Sequence, residues 1–235
     1  MFVTINRYGG DMARPEPISR RDRPAKPPLS RAAILDAAVA IVQRDGAGAL
    51  TMRRLATELD TGPASLYVYV RNTTELNALL IDRYLSELDL SWDGREAWRD
   101  RLQRVVDDYA ALLASQPGLA TAALTTWPDG HHYLDLLELL MRLLAAAGVD
   151  TEAAARGVDL LLQHATASAA EWAAHATPAG QELADLTETL ESATAERHPT
   201  LHAAGAAVFT SGTPEERTRW ATTAIVNGIL ESGRG

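Results

Sequence analysis

Apolar residues recur at helical spacing along most of the chain. Ile34, Leu35, Ala38, Ile41 and Val42 form one face of a helix that Ser30 can cap and that extends over about 30–44. Asp45-Gly46-Ala47-Gly48 interrupts the pattern. Thr51 is an N-cap for a second, short helix reaching about residue 59, with Leu55, Ala56 and Leu59 turned inward. Asp60-Thr61-Gly62 reads as a turn. Pro63 suits the first turn of a third helix over about 64–70, because its missing N–H is not needed there. Leu66 and Val70 are the core-facing positions of that helix. Asn72-Thr73-Thr74-Glu75 has capping-box spacing and opens a fourth helix to about residue 88. Beyond Ser91-Trp92-Asp93-Gly94 the pattern predicts helices over about 95–115, 117–126, 130–147, 151–176, 179–195 and 214–231. Pro117, Pro128, Pro178, Pro199 and Pro214 mark the joints.

Composition agrees with an all-α chain. Of 235 residues, 46% are hydrophobic, many of them alanine, and only 6% are aromatic. The absence of cysteine excludes disulfides, thiolate metal sites and cysteine nucleophiles. No stretch approaches the ~20 continuous apolar residues of a membrane span, so no membrane partner is expected. The N-terminus lacks an apolar run followed by a cleavage site, and a cytoplasmic protein is expected. The net charge of −9 is unevenly spread. Residues 1–74 carry 11 Lys and Arg against 7 Asp and Glu, whereas the rest carry 11 against 24. A basic head on an acidic body suits a protein that meets phosphate with one end only. Residues 1–28, rich in proline and arginine, are expected to be a disordered basic arm. Such an arm can follow phosphates or enter a minor groove, or can be a solvated tail with no role.

Three short helices with a tight turn between the second and third describe a helix-turn-helix, although helical bundles also contain such triplets. In this reading Leu66 and Val70 anchor the third helix, leaving Pro63, Ala64, Ser65, Tyr67, Val68 and Tyr69 outward or along the rim. Small residues at its start allow close approach to base edges, and tyrosine hydroxyls can reach phosphate.

Residues 30–85 resemble the DNA-binding domain of the TetR family. The matching features are Ile34-Leu35-Asp36-Ala37-Ala38, then Leu50-Thr51 with Arg53, then Leu55-Ala56 with Leu59. Leu66-Tyr67 with Tyr69-Val70 and Asn72, followed by Glu75-Leu76, completes the match. The resemblance implies that Thr51 and Arg53 contact phosphate or a base edge. It places Pro63, Ala64, Ser65, Val68 and Tyr69 toward the groove and gives Tyr67 a phosphate, unless Tyr67 packs on the fourth helix instead. Two departures stand out. The family often has lysine where this chain has Thr73, which removes one phosphate contact that Arg71 or Arg54 could replace. Asp60 occupies the turn position of a family glycine, and aspartate tolerates left-handed backbone better than most residues.

The body resembles the tetracycline-repressor branch of the same family at Glu96-Ala97-Trp98, Ser115-Gln116-Pro117-Gly118, His198-Pro199-Thr200-Leu201 and Gly212-Thr213-Pro214-Glu215. This resemblance implies an effector-binding and dimerisation domain. Helices 151–176 and 214–231 would form a four-helix bundle with those of a second copy, helped by the small residues Ala165, Ala169, Ala221, Ala224 and Gly228. A two-fold homodimer would address a near-palindromic double-stranded DNA operator. The expected division is 1–28 arm, 29–74 helix-turn-helix, and 75–235 effector and dimerisation domain. Pocket candidates are Val105, Tyr109, Trp127, His131, His132, Leu136, Leu139, His164, Glu171 and Trp172, each with a plain core or surface role as the alternative.

The branch's magnesium-binding histidine on the sixth helix aligns with Ala123, so a metal–tetracycline complex is not expected. Neither is any cofactor, since the six histidines lack metal spacing along the chain. A bulky, mostly apolar organic effector fits better. No GxSxG, HExxH, phosphate loop or GxGxxG is present, and no enzymatic activity is expected. The resemblance implies a repressor released when effector shifts the fourth helix. The alternative is an interaction protein that kept the fold and lost sequence-specific DNA binding.

Overall fold

All regular elements among the described residues are helical. The computed structural model describes residues 28–116, 118–175 and 180–232. The arm expected over 1–28 therefore lies almost wholly outside the described residues, as do the joints at Pro117 and Pro178. No helix among the described residues is long and apolar enough to cross a membrane.

Helix α1 spans Arg31–Asp45, and the Ser30 hydroxyl accepts the Ala33 N–H at 3.1 Å, as its capping role requires. A single 3-10 turn, Ala47–Ala49, leads into α2 at Met52–Glu58, which Thr51 caps by accepting the Arg54 N–H. Asp60 takes φ of +46° in the following turn and is the one non-glycine residue with positive φ among those described. Helix α3 covers only Pro63–Leu66, shorter than the expected 64–70. The chain then continues as hydrogen-bonded turns, with Val70 N–H still reaching the Leu66 carbonyl at 3.0 Å. Tyr67, Val68, Tyr69 and Val70 are weak helix formers, and Asn72 must be extended to cap the next helix.

Helix α4 (Thr73–Leu85) is capped by Asn72, whose side chain accepts the Glu75 N–H at 2.8 Å. Only half of the expected capping box forms, because the Glu75 carboxylate turns to the Arg71 N–H instead. The body follows as α5 (Trp98–Ser115), α6 (Leu119–Ala123), α7 (His131–Ala146), α8 (Thr151–His175), α9 (Gly180–Glu191), α10 (Pro199–Ala204), α11 (Ala207–Thr210) and α12 (Pro214–Ser232). Helix α5 starts later than expected. The buried Arg101 guanidinium anchors the preceding segment at Asp89 and Ser91, donating to both backbone carbonyls, to Ser91 at 3.0 Å. Helices α10 and α11 were not expected from the pattern. Each has fewer than two turns and buries no residue, so it leaves little periodic signal.

Helix α8 is the centre of the body, packed by α5, α6, α7 and α12. Helix α4 joins head to body, packing on α1 at one side and on α5, α6 and α7 at the other. One apolar cluster runs without a break from Ile34 in α1 to Ile229 in α12. Ala165 and Ala169 correct the expectation that they face a second copy, since both are fully buried within the chain. Gly157 instead provides close approach between α8 and α12; a Cβ there would lie 2.7 Å from the Ile229 side chain.

Candidate nucleic-acid interface and ligand core

The exposed face of the head is built by two anchors. Leu66 and Val70 are buried in the head's core, which pins α3 and its following turn. Between and beside them Pro63, Ala64, Ser65, Tyr67, Val68 and Tyr69 are all exposed, Val68 at 80% and Tyr67 at 52%. The arrangement matches the face read from the sequence, although only part of it is helical. A protruding row of small and aromatic residues on a braced turn is shaped to enter a groove. Thr51, Arg53 and Thr73 are exposed alongside.

The cations of this face are not equivalent. Arg54 donates to Asp45 at 2.7 Å, and Arg44 forms a bidentate pair with Glu58, so these four side chains tie α1 to α2. The hydrogen bond from Arg44 holds the Glu58 carboxyl below its ordinary range. Arg71 donates to Glu75 from both backbone and side chain, and Arg31 reaches the same carboxylate at 3.0 Å. These donors hold the Glu75 carboxyl below the ordinary value of 4.5, with the Arg71 backbone bond as the main cause. Arg53 is exposed and has no ion pair among the described residues.

In the body, Val105 and Tyr109 of α5 and Leu136 and Leu139 of α7 are all buried members of the continuous apolar core. The Tyr109 hydroxyl bonds Thr166 of α8 at 2.8 Å, and burial pushes it up to about 12, so it stays neutral. His164 and Trp172 are half-buried on α8, and His164 lies 3.4 Å from the Ser168 hydroxyl. Trp127, at 84% exposed, and the exposed Glu171 do not join this interior. Tyr84 buries an unpartnered hydroxyl near the end of α4.

A second constellation was not anticipated. Asp82 of α4 is buried, and its Oδ1 accepts the Tyr133 N–H at 2.9 Å while Oδ2 lies 3.0 Å from His132 Nδ1. The His131 ring lies beside that of His132, tilted by 38° with centroids 3.8 Å apart. Gly130 makes room, since a Cβ there would fall 2.0 Å from the Asp82 carboxyl carbon. The available signal was a lone acid within the apolar run Ala78, Leu79, Leu80, Ile81 and Leu85; Asp82 sits one turn beyond Ala78 on the buried face. Elsewhere in the body an open groove of about 590 Å³ lies between α8 and α12, lined by Gly157, Leu160, Ile225 and Gly228 among others.

Comparison with known proteins gives two family matches. Residues 34–78 match the family described as bacterial regulatory proteins, tetR family. Residues 92–231 match the tetracyclin repressor-like C-terminal domain. The HTH-type transcriptional repressor DrrR1 of Streptomyces coeruleorubidus is 33% identical over 131 residues, 55% of this chain and 48% of that protein. The chain spans about half the length of the curated relatives it matches. A Streptomyces transcription regulator, SCO7704, superposes with a TM-score of 0.74 at 45% identity, over 87% of this chain and 96% of its own. ActR of Streptomyces coelicolor in complex with actinorhodin superposes with a TM-score of 0.79 at 32% identity, over 88% and 99%.

Proposed function

Because the chain belongs to the TetR family of bacterial regulatory proteins, we propose that it is a ligand-responsive transcription regulator. In this reading it is a repressor that binds a palindromic operator as a homodimer and lets go when a small, mostly apolar organic effector enters the body. Residues 29–74 form the DNA-reading unit, and 75–235 the effector and dimerisation unit, with 1–28 as a basic arm. It acts in the cytoplasm and carries out no catalytic step. The observation that carries the reading is the exposed row 63–65 and 67–69 held out by Leu66 and Val70. Thr51, Arg53, Arg54 and Arg71 would flank that row with phosphate contacts, and Tyr67 within it would reach a phosphate. Thr73 would sit beside them without the charge of a lysine, and the small residues 63–65 would meet base edges.

The likeness to ActR, solved with actinorhodin, supports an organic effector, and the DrrR1 name supports repression. Val105, Tyr109, Leu136 and Leu139 are the walls from which such a pocket would open, with Tyr109 and Thr166 as its polar pair. Helix α4 is the lever, because its first turn braces the head through Glu75 and its last turns pack against the body.

A second reading is favoured by one observation. Arg54 and Arg71 are both engaged by acids of the head, and Thr73 supplies no charge, so the face could serve a protein partner instead of DNA. Titrating the protein with DNA from upstream of its own gene, at several salt concentrations, tests both. Tight binding with a steep salt slope and a footprint over an inverted repeat supports the regulator. Weak binding indifferent to sequence supports the interaction protein.

A further inference from the structure

We propose that Asp82, His131 and His132 form a binding site for one borderline divalent transition-metal cation of the Zn²⁺ class, which pins α4 to the start of α7. One ligand atom from each of the three residues can be chosen so that all lie within 4.8 Å of one another. The Asp82 Oδ2 to His132 Nδ1 separation of 3.0 Å is close to the ~3.3 Å edge expected of a tetrahedral site with bonds of ~2.0–2.1 Å. Two imidazoles and a carboxylate are a nitrogen-rich set. They favour Zn²⁺, Co²⁺, Ni²⁺ or Cu²⁺ over Mg²⁺ and Ca²⁺, which require oxygen ligands.

Capping explains only part of the cluster. Gly130, the N-cap of α7, has no side chain, and Asp82 Oδ1 takes over by accepting the Tyr133 N–H. That bond accounts for one carboxylate oxygen and fixes the plane of the group, as an outer hydrogen bond does for a metal ligand. It leaves Oδ2 directed at His132, with a second imidazole tilted alongside, and capping has no use for either ring. The missing Cβ at Gly130 lets the carboxylate sit against the α7 backbone, so the buried ligand is positioned before any ion arrives. His131 is exposed and leaves an approach from solvent. Three protein ligands leave a fourth position for water or another group.

The site is independent of the operator reading and is tested on the protein alone. The full chain, free of any histidine tag, is titrated with Co²⁺ as a coloured probe, followed by Zn²⁺. The expected result is one Co²⁺ per chain with visible d–d absorption that Zn²⁺ abolishes, and a Tm raised by metal. His131→Ala is the clean variant because the residue is exposed, and it should weaken uptake by at least ~100-fold with the apo Tm unchanged. Asp82→Asn, checked for folding by circular dichroism, should weaken it as well. No Co²⁺ uptake by the parent chain at ~100 μM overturns the proposal. So does uptake that His131→Ala and Asp82→Asn leave undiminished, which would place the ion on other histidines.

Discussion

Gly130 shows how much a single carbon can decide. Its backbone is ordinary, with φ of −88°, so alanine would suffer no conformational strain there. Space is the obstacle, since the added Cβ would overlap the Asp82 carboxyl group. Asp82 cannot swing away without giving up Tyr133 N–H and His132. Gly130→Ala should therefore lift the start of α7 from α4 and destabilise the chain by about 1–3 kcal/mol, read as a lower urea midpoint. Adding Asp82→Ala removes the overlap, so the double variant should lose less than the two single losses together; strict additivity would sink the argument. Arginines on the head differ in the same residue-level way. Among the described residues Arg53 has no ion pair to break, so Arg53→Ala should weaken operator binding across sequences and lower the salt slope by about 1, with Tm unchanged. Arg54→Ala also leaves Asp45 without that partner, so it should lower the stability of the head slightly, by less than about 1 kcal/mol, while weakening DNA binding less than Arg53→Ala.

Between elements, Glu75 is the connection whose effect follows pH. It receives the Arg71 N–H ahead of α4 and the Arg31 guanidinium of α1, so one carboxylate fastens two helices. Its folded value lies below the ordinary 4.5, which means the folded state favours the charged form. The stabilisation is present in full above 4.5 and is lost as pH falls below it toward the folded value. Glu75→Gln should thus unfold at lower urea than the parent at pH 7, and the gap should close as the medium is acidified past 4.5. Helices with long apolar stripes and side-chain caps were legible in the sequence. Ser30, Thr51 and Asn72 cap where expected, and α7, α8 and α12 keep nearly the expected limits. The helix expected over 117–126 is present but reduced to α6, and α10 and α11 left no pattern, because elements of so few turns show little period. The end of α3 was misplaced because propensity in Tyr67-Val68-Tyr69 works against the helix that the anchors Leu66 and Val70 suggest.

At the scale of the whole molecule, legibility follows how far apart in sequence the partners lie. The protruding face of the head could be read because its anchors and exposed residues fall within one short segment. The Asp82 cluster could not, since its partners are 50 and 51 residues away and share no spacing. The body's interior was legible only in part. Tyr109 and Leu136 fall inside as the pattern suggests, but Trp127 and Glu171 point out, because burial depends on which neighbour each helix face meets. Small residues gave the same difficulty: Ala165 and Ala169 are consumed by the chain's own core, which moves the candidate self-association face to Leu160, Ile225 and Gly228 along the α8–α12 groove. On the proposed reading, a head that reads one short segment would gain operator affinity and register chiefly by being doubled, so the groove and the DNA face should fail together. Leu160 is half-exposed at 49%, so a charge there costs the single chain little, but it would be buried unpaired between two copies. Leu160→Glu should shift the protein from dimer to monomer in sedimentation equilibrium, keep its helical circular dichroism, and reduce affinity for a full inverted repeat by more than about tenfold. Its affinity for an isolated half-site should stay near that of the parent. A dimer that survives this charge would place the contact on another face, and α9 to α11, with Val208 and Phe209 exposed, would be the next to substitute.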